Sequence, residues 1–286
     1  MKNIAFFVIL LLISLQVKAQ VKFESSLTDA FKLAKEQNKI VFVDYYNSEC
    51  SVCKHLNELL ESDTIVVNYY NKYFINYKLD SKGNSEGKLK EDEKNLIDKS
   101  KLVFDHVPVL LFFDFNGNFL HHSGVKVESD VVLNIGKSAR NPDYRSSSNL
   151  KKYKNGDRSI RTLYALSVYL VATSNDSLLE VVTKDLYDVY SKDSSKMSSE
   201  ASYTILKNVI KSTKNGFFVY WINNLESVKK NEQNFTKDEI QLALEKILLK
   251  ELSNPNRINW SEEKKNLFKD YVLKLKITDN PDSYFE

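Results

Sequence analysis

Cys50 and Cys53, the only two cysteines of the 286-residue chain, are separated by Ser51 and Val52 and stand where an apolar run gives way to leucines at helical spacing. At a helix start, unpaired backbone N–H groups and the positive end of the helix dipole stabilise an anion. A cysteine placed there is expected to titrate low and to exist partly as thiolate, the attacking species in disulfide exchange. Cys50 is the expected nucleophile. Cys53, one turn deeper, is expected to be shielded, to attack the mixed disulfide and to release the partner in its reduced form. Two other readings stay open. As an inert staple the pair would stabilise little, because a four-residue loop contributes about 2 kcal/mol in chain-entropy terms against roughly 3 for fifteen residues. As a zinc site it is short of ligands: four are wanted, and only His55 is near, with His106, His121 and His122 far along the chain. No metal, nucleotide or flavin motif is visible, and no cofactor is expected.

The elements that must position the pair follow from periodicity. Ile40–Tyr46 is a β-branched and aromatic run of strand length, and its continuous apolar character argues for a central strand buried on both faces. A helix precedes it over Thr28–Gln37, with Ala30, Phe31 and Ala34 on one face. After the cysteines, Leu56, Leu59 and Leu60 keep helical spacing as far as Ser62-Asp63. A second strand is predicted over Tyr73–Leu79, then a polar stretch over Asp80–Lys90 and a helix over Asp92–Lys101. Val109–Asp114 and Asn118–His122 flank Asn116-Gly117, a strong hairpin signal, and a helix over Ser129–Ala139 closes the half. That order specifies a mixed-sheet α/β domain.

Residues 141–156 shift to Ser, Asn, Lys and Gly and read as a linker. Beyond it, segments near 157–173, 176–192, 199–212, 216–230, 237–252 and 262–275 read as helices of an all-α domain, 157–286. Ser177 with Glu180 and Thr236 with Glu239 match capping boxes. Consecutive helical pairs of similar length suggest a solenoid-like array, although no repeat of fixed period appears at residue level.

Residues 1–19 read as a signal peptide: Lys2 in a short n-region, an apolar run from Ile4 to Leu15, and Val17-Lys18-Ala19 as the cleavage site. The run is too short for a spanning helix, which needs about 20 residues. A periplasmic or secreted protein is expected, and export places the chain where disulfides persist. Lys and Arg (41) nearly balance Asp and Glu (38), leaving a formal charge of +3 with the signs interspersed, which argues against nucleic acid as a partner.

Four features in register resemble the thioredoxin-like proteins, in particular their exported thiol–disulfide oxidoreductase branch: Val43-Asp44 six residues before the first cysteine, Cys50-Ser51-Val52-Cys53 opening a helix, Val107-Pro108 before a strand, and Gly124 after the hairpin. The resemblance covers residues 24–140 and implies a thioredoxin fold, a mixed central sheet flanked by helices, over 20–140. It implies a cis Pro108 packed against the disulfide, with the backbone of Val107 pairing with an extended substrate segment. It also implies that Asp44 is a buried acid beneath the second cysteine, able to accept the Cys53 proton as that thiol attacks. The chain departs from the family where Glu49 replaces the usual Trp and Ser51-Val52 the usual Gly-Pro. Glu49 is a like charge beside a thiolate and is expected to raise the Cys50 pKa against the helix dipole. His55 and His106 are expected to be solvated, and His121-His122 structural.

The function expected on these grounds is disulfide exchange with exported protein substrates, reduction being the expected direction. A single dithiol then needs an external redox partner, membrane-bound by family analogy. The alternative is a binding or chaperone-like module whose helical half holds a partner protein.

Overall fold

The computed structural model describes residues 20–83, 87–104, 106–227 and 235–286; the expected signal peptide lies outside them. The chain divides after Ser148 into two compact units.

The first unit is a five-stranded sheet ordered β1 (Phe23–Glu24), β3 (Phe74–Asp80), β2 (Ile40–Tyr46), β4 (Val109–Phe113), β5 (Phe119–Gly124). β1, β3 and β2 run parallel, and β4 and β5 are antiparallel additions. Side chains alternate across a strand, so the continuous apolar runs of β2 and β4 feed two cores. Phe42, Leu110 and Phe112 pack on one face against Leu56 and Leu60 of α2 (Ser51–Ser62), Tyr70 of α3 (Thr64–Tyr73) and Val132 of α5 (Ser129–Arg140). Val41, Val43, Leu111 and Phe113 pack on the other against Ala30 and Ala34 of α1 (Leu27–Gln37) and Leu96 of α4 (Glu91–Ser100). The strands predicted from the sequence sit within two residues of those observed.

Two elements that pack in the sheet unit, β1 and α3, had no sequence signal. β1 is only two residues long. α3 carries the β-branched and aromatic segment Thr64-Ile65-Val66-Val67-Asn68-Tyr69-Tyr70, a poor helix former by composition. Asp63 starts it by accepting the Ile65 and Val66 N–H groups, and burial of Val66, Val67 and Tyr70 against the sheet outweighs propensity. Residues 141–156, expected as a linker, are structured. Ser147 N–H donates to Leu120 O at 3.2 Å and His122 N–H to Ser146 Oγ at 3.3 Å, covering the outer edge of β5, and α6 (Ser148–Lys154) follows. Its polar composition satisfies a strand edge.

The second unit is helical: α7 (Ile160–Ala172), α8 (Asp176–Tyr190), α9 (Ser194–Met197), α10 (Glu200–Val209), α11 (Gly216–Asn224), α12 (Lys237–Leu252) and α13 (Glu262–Lys274), with short 3₁₀ turns at Leu225–Ser227, Pro255–Asn259 and Pro281–Tyr284. α7 packs on α8 and α10, α8 on α11, α11 on α10 and α12, and α12 on α10 and α13. This is the connectivity of stacked helical pairs. The Thr236–Glu239 capping box forms. The one expected at Ser177–Glu180 does not: Asn175 is the N-cap of α8, accepting from Leu178 N–H, and Ser177 lies inside the helix.

The candidate redox site

β2 delivers the chain to the site. After Tyr46, Asn47 turns it, its carbonyl accepting from Cys50 N–H at 3.1 Å and its side chain from Glu49 N–H at 2.8 Å. Cys50 is the N-cap residue of α2, and its Sγ accepts from Cys53 N–H at 3.1 Å, the place a capping oxygen ordinarily occupies. The two cysteines form a disulfide. They are not equivalent: Cys50 is half-buried, whereas Cys53 is 5 % exposed and heads the stripe that α2 buries with Leu56 and Leu60. The Val107–Pro108 peptide bond is cis, Pro108 is buried, and Val107 O lies 3.7 Å from Cys50 Sγ, within reach of a thiol donor once the disulfide is reduced. Val107, Pro108 and both cysteines, far apart in sequence, therefore share one end of the sheet.

Asp44 is 2 % exposed. It alternates with Phe42 on β2 and stands opposite Leu110, and both of those pack on the face covered by α2. The carboxyl thus projects to the side on which Cys53 is buried. Its Oδ1 has no hydrogen-bond partner, and burial pushes its pKa up to about 7, against the opposing pull of the Lys78 charge. A carboxylic acid that titrates near neutrality is suited to taking up and returning a proton.

Glu49 does not stand alone beside the nucleophile. Its carboxylate is bonded by the ammonium of Lys82, which together with the Lys82 charge holds it below the usual carboxylate range. The turn after β3 brings Lys82 there: Asp80 accepts from Lys82 N–H at 2.9 Å, and Gly83 adopts φ +74, where a Cβ would lie 2.2 Å from Lys88 C. The expected like-charge repulsion is offset in part. Sequence reasoning missed Lys82, Lys78 and Asn57. Lys78 had a visible signal, being a lysine inside the apolar strand Phe74–Leu79.

Of the histidines, His55 and His106 are exposed, the latter with its Nε2 3.3 Å from where a Cβ on Gly124 would stand, so a side chain at 124 would crowd it. His121 Nδ1 accepts from Ser146 N–H at 3.0 Å. His122 is buried between the rings of Phe104 and Phe119, at 6.0 and 5.8 Å, with Nδ1 unpartnered. Burial, with Arg145 beside His121 and His121 and His106 beside His122, lowers their pKa values to about 4 and about 3. Both stay neutral when folded and take protons near pH 6.5 when unfolded, so the stability they contribute is whole above pH 6.5 and is lost as pH falls towards the folded values. His122→Phe is expected to regain about 2 kcal/mol relative to wild type at pH 5 and nothing from this source at pH 8, read from urea midpoints at the two pH values.

Residues 27–130 match the family model of the thioredoxin-like domain. Solved structures similar to this chain include the solution structure of a candidate disulphide-isomerase from Bacteroides thetaiotaomicron, 24% identical with a TM-score of 0.34, the match covering 43% of this chain and 98% of that one. A DsbH oxidoreductase is 16% identical with a TM-score of 0.31, over 49% of this chain and 87% of its own. Comparison with curated proteins gives no match.

Proposed function

We propose that the protein, whose residues 27–130 match the model of a thioredoxin-like domain, is an exported thiol–disulfide oxidoreductase that reduces disulfides in other exported proteins. The observation that carries this reading is the asymmetry of the pair, with Cys50 half-buried at a helix N-cap beside Val107 O and Cys53 buried behind it. In the reducing direction the Cys50 thiolate attacks a substrate disulfide, forming one S–S bond as the substrate's bond breaks and its first thiolate leaves. Asp44 takes the Cys53 proton, Cys53 attacks Cys50 Sγ, and the second substrate thiol departs. Two electrons have then passed to the substrate, and the Cys50–Cys53 disulfide awaits reduction by an external dithiol. Val107 supplies backbone groups to which an extended substrate segment can pair, next to the buried Pro108. The helical unit recruits or restricts substrates; a cleft in it of about 780 Å³, lined by Leu179, Thr183, Tyr187, Asn215 and Lys214, is of a size to take a segment of a partner.

Cys53→Ser is expected to accumulate mixed disulfides with exported proteins, because the first attack proceeds and the second cannot. After acid quenching of thiols, discrete adducts should appear on a non-reducing gel, vanish with reductant and be missing from Cys50→Ser/Cys53→Ser. A folded, exported Cys53→Ser protein without adducts would move the function to the helical unit.

A further inference from the structure

Lys78 stands beside Asp44 in the parallel register of β3 and β2, yet its ammonium is not spent on that carboxyl. It donates to the side-chain carbonyl of Asn57, one helical turn beyond Cys53 on α2, and lies 4.8 Å from the centre of the Phe23 ring and 6.0 Å from that of Tyr46. The Asn57 amide cannot turn over freely. Its Nδ2 donates to Glu61 Oε1 at 2.6 Å, which leaves the carbonyl as the end that meets Lys78. Lys78 therefore acts on Asp44 through space, while Asp44 Oδ1 goes without a partner.

We propose that Asn57 is a positioning residue: by holding the Lys78 ammonium against α2 it keeps Lys78 from pairing directly with Asp44, and so sets the proton affinity of the buried carboxyl. The proposal rests on the reading of Asp44 as proton acceptor only for its consequence, which is an Asp44 able to hold the Cys53 proton near neutral pH. A lysine bonded directly to that carboxylate would stabilise its charged form and empty it of the proton it has to exchange. The other groups that face Asp44 are Tyr46 on its own strand and Tyr70 from α3, both pushed up in part by the Asp44 charge, and the Cys53 thiol when the disulfide is open; β4 presents the apolar Leu110. Tyr70 is itself bound, its hydroxyl donating to Val132 O at 2.9 Å. Lys78 is thus the cation whose placement decides the matter.

The test is the titration of the Asp44 side-chain carboxyl, followed by ¹³C NMR in the oxidised full-length protein. Asn57→Ala is expected to release Lys78 onto Asp44 and lower the midpoint by about one pH unit, a tenfold loss of proton affinity. Lys78→Met is expected to raise it, and in the Lys78→Met background Asn57→Ala should change nothing. Asn57→Asp keeps an acceptor for Lys78 and should leave the midpoint at or above its wild-type value. An unchanged midpoint in Asn57→Ala, or the same drop with Lys78 removed, would overturn the proposal. The readout needs neither substrate nor turnover, so it is separable from the functional reading. If Asn57 moves the titration but Asp44→Asn resolves mixed disulfides at the wild-type rate, it is the acceptor role of Asp44 that fails.

Discussion

Replacing Cys50 with Ser is expected to bring reduction of insulin disulfides down to the rate of dithiothreitol alone, with the protein still folded. Both halves of that expectation come from the same geometry. Serine is a good N-cap residue, and its hydroxyl can accept the Cys53 N–H that Cys50 Sγ accepts, so α2 keeps its start. Loss of the four-residue disulfide loop costs only about 2 kcal/mol in chain-entropy terms. The chemistry has no substitute, because a serine hydroxyl is not ionised at neutral pH and Cys53, 5 % exposed, does not meet a protein disulfide directly. Turbidity from precipitating insulin chains measures the rate, and circular dichroism verifies the fold. Wild-type activity in the folded Cys50→Ser protein would remove the pair from the reaction and leave the thioredoxin-like domain as a scaffold.

Asp44→Asn is expected to stabilise the protein at and above neutral pH by on the order of 4 kcal/mol, and hardly at all near pH 4. The sign follows from linkage. Burial raises the folded pKa to about 7 from the ordinary 3.8, so below that lower value both states are protonated and the carboxyl costs nothing. As pH rises between the two values, the unfolded chain gives up the proton and the folded chain keeps it. The penalty grows by about 1.4 kcal/mol per pH unit and levels off once the folded carboxyl also ionises. Asparagine carries no charge and escapes this slope. Urea midpoints of wild type and variant at several pH values between 4 and 8 should diverge steadily, whereas a constant difference would mean that Asp44 titrates as an ordinary carboxyl. The same variant should slow release of trapped substrate at neutral pH, since Cys53 loses its proton acceptor. A gain in stability bought by a loss of rate is the pattern expected of a charge kept buried for function. The histidines of β5 act with the opposite sign over nearly the same range, and two of them outweigh one carboxyl, so these three groups together should make wild-type stability rise from acid pH to about pH 6.5 and stay level above it.

The thioredoxin-like half was largely legible because its signals are local. The β-branched run Ile40–Tyr46, the Asn116-Gly117 turn and the passage from strand to helix at Cys50 each state their conformation within a few residues, and each was found where expected. Local signals were also silent or misleading. Thr64–Tyr73, rich in β-branched and aromatic residues, carried no helix signal and is a helix because the face carrying Val66, Val67 and Tyr70 is buried. Ser177 and Glu180 have capping-box spacing, but Asn175 starts the helix two residues earlier. Residues 146–147 look like a linker and instead cover β5, an edge that exists only once the sheet is assembled.

By itself, then, the sequence determined the strand and helix order around the two cysteines, the nucleophilic chemistry open to them and the helical character of the second half, because periodicity, capping and turn preference act over a few residues. Tertiary structure alone decided which groups surround that chemistry: Lys82 on Glu49 across 33 positions, Lys78 on Asn57 across 21, and Val107 O on Cys50 across 57. Those pairings depend on the register of β2 with β3 and β4 and on the seat of α2 above them. A lysine in a list of residues carries no mark of which of two nearby acceptors it will reach, and here that choice sets the proton affinity of the buried acid.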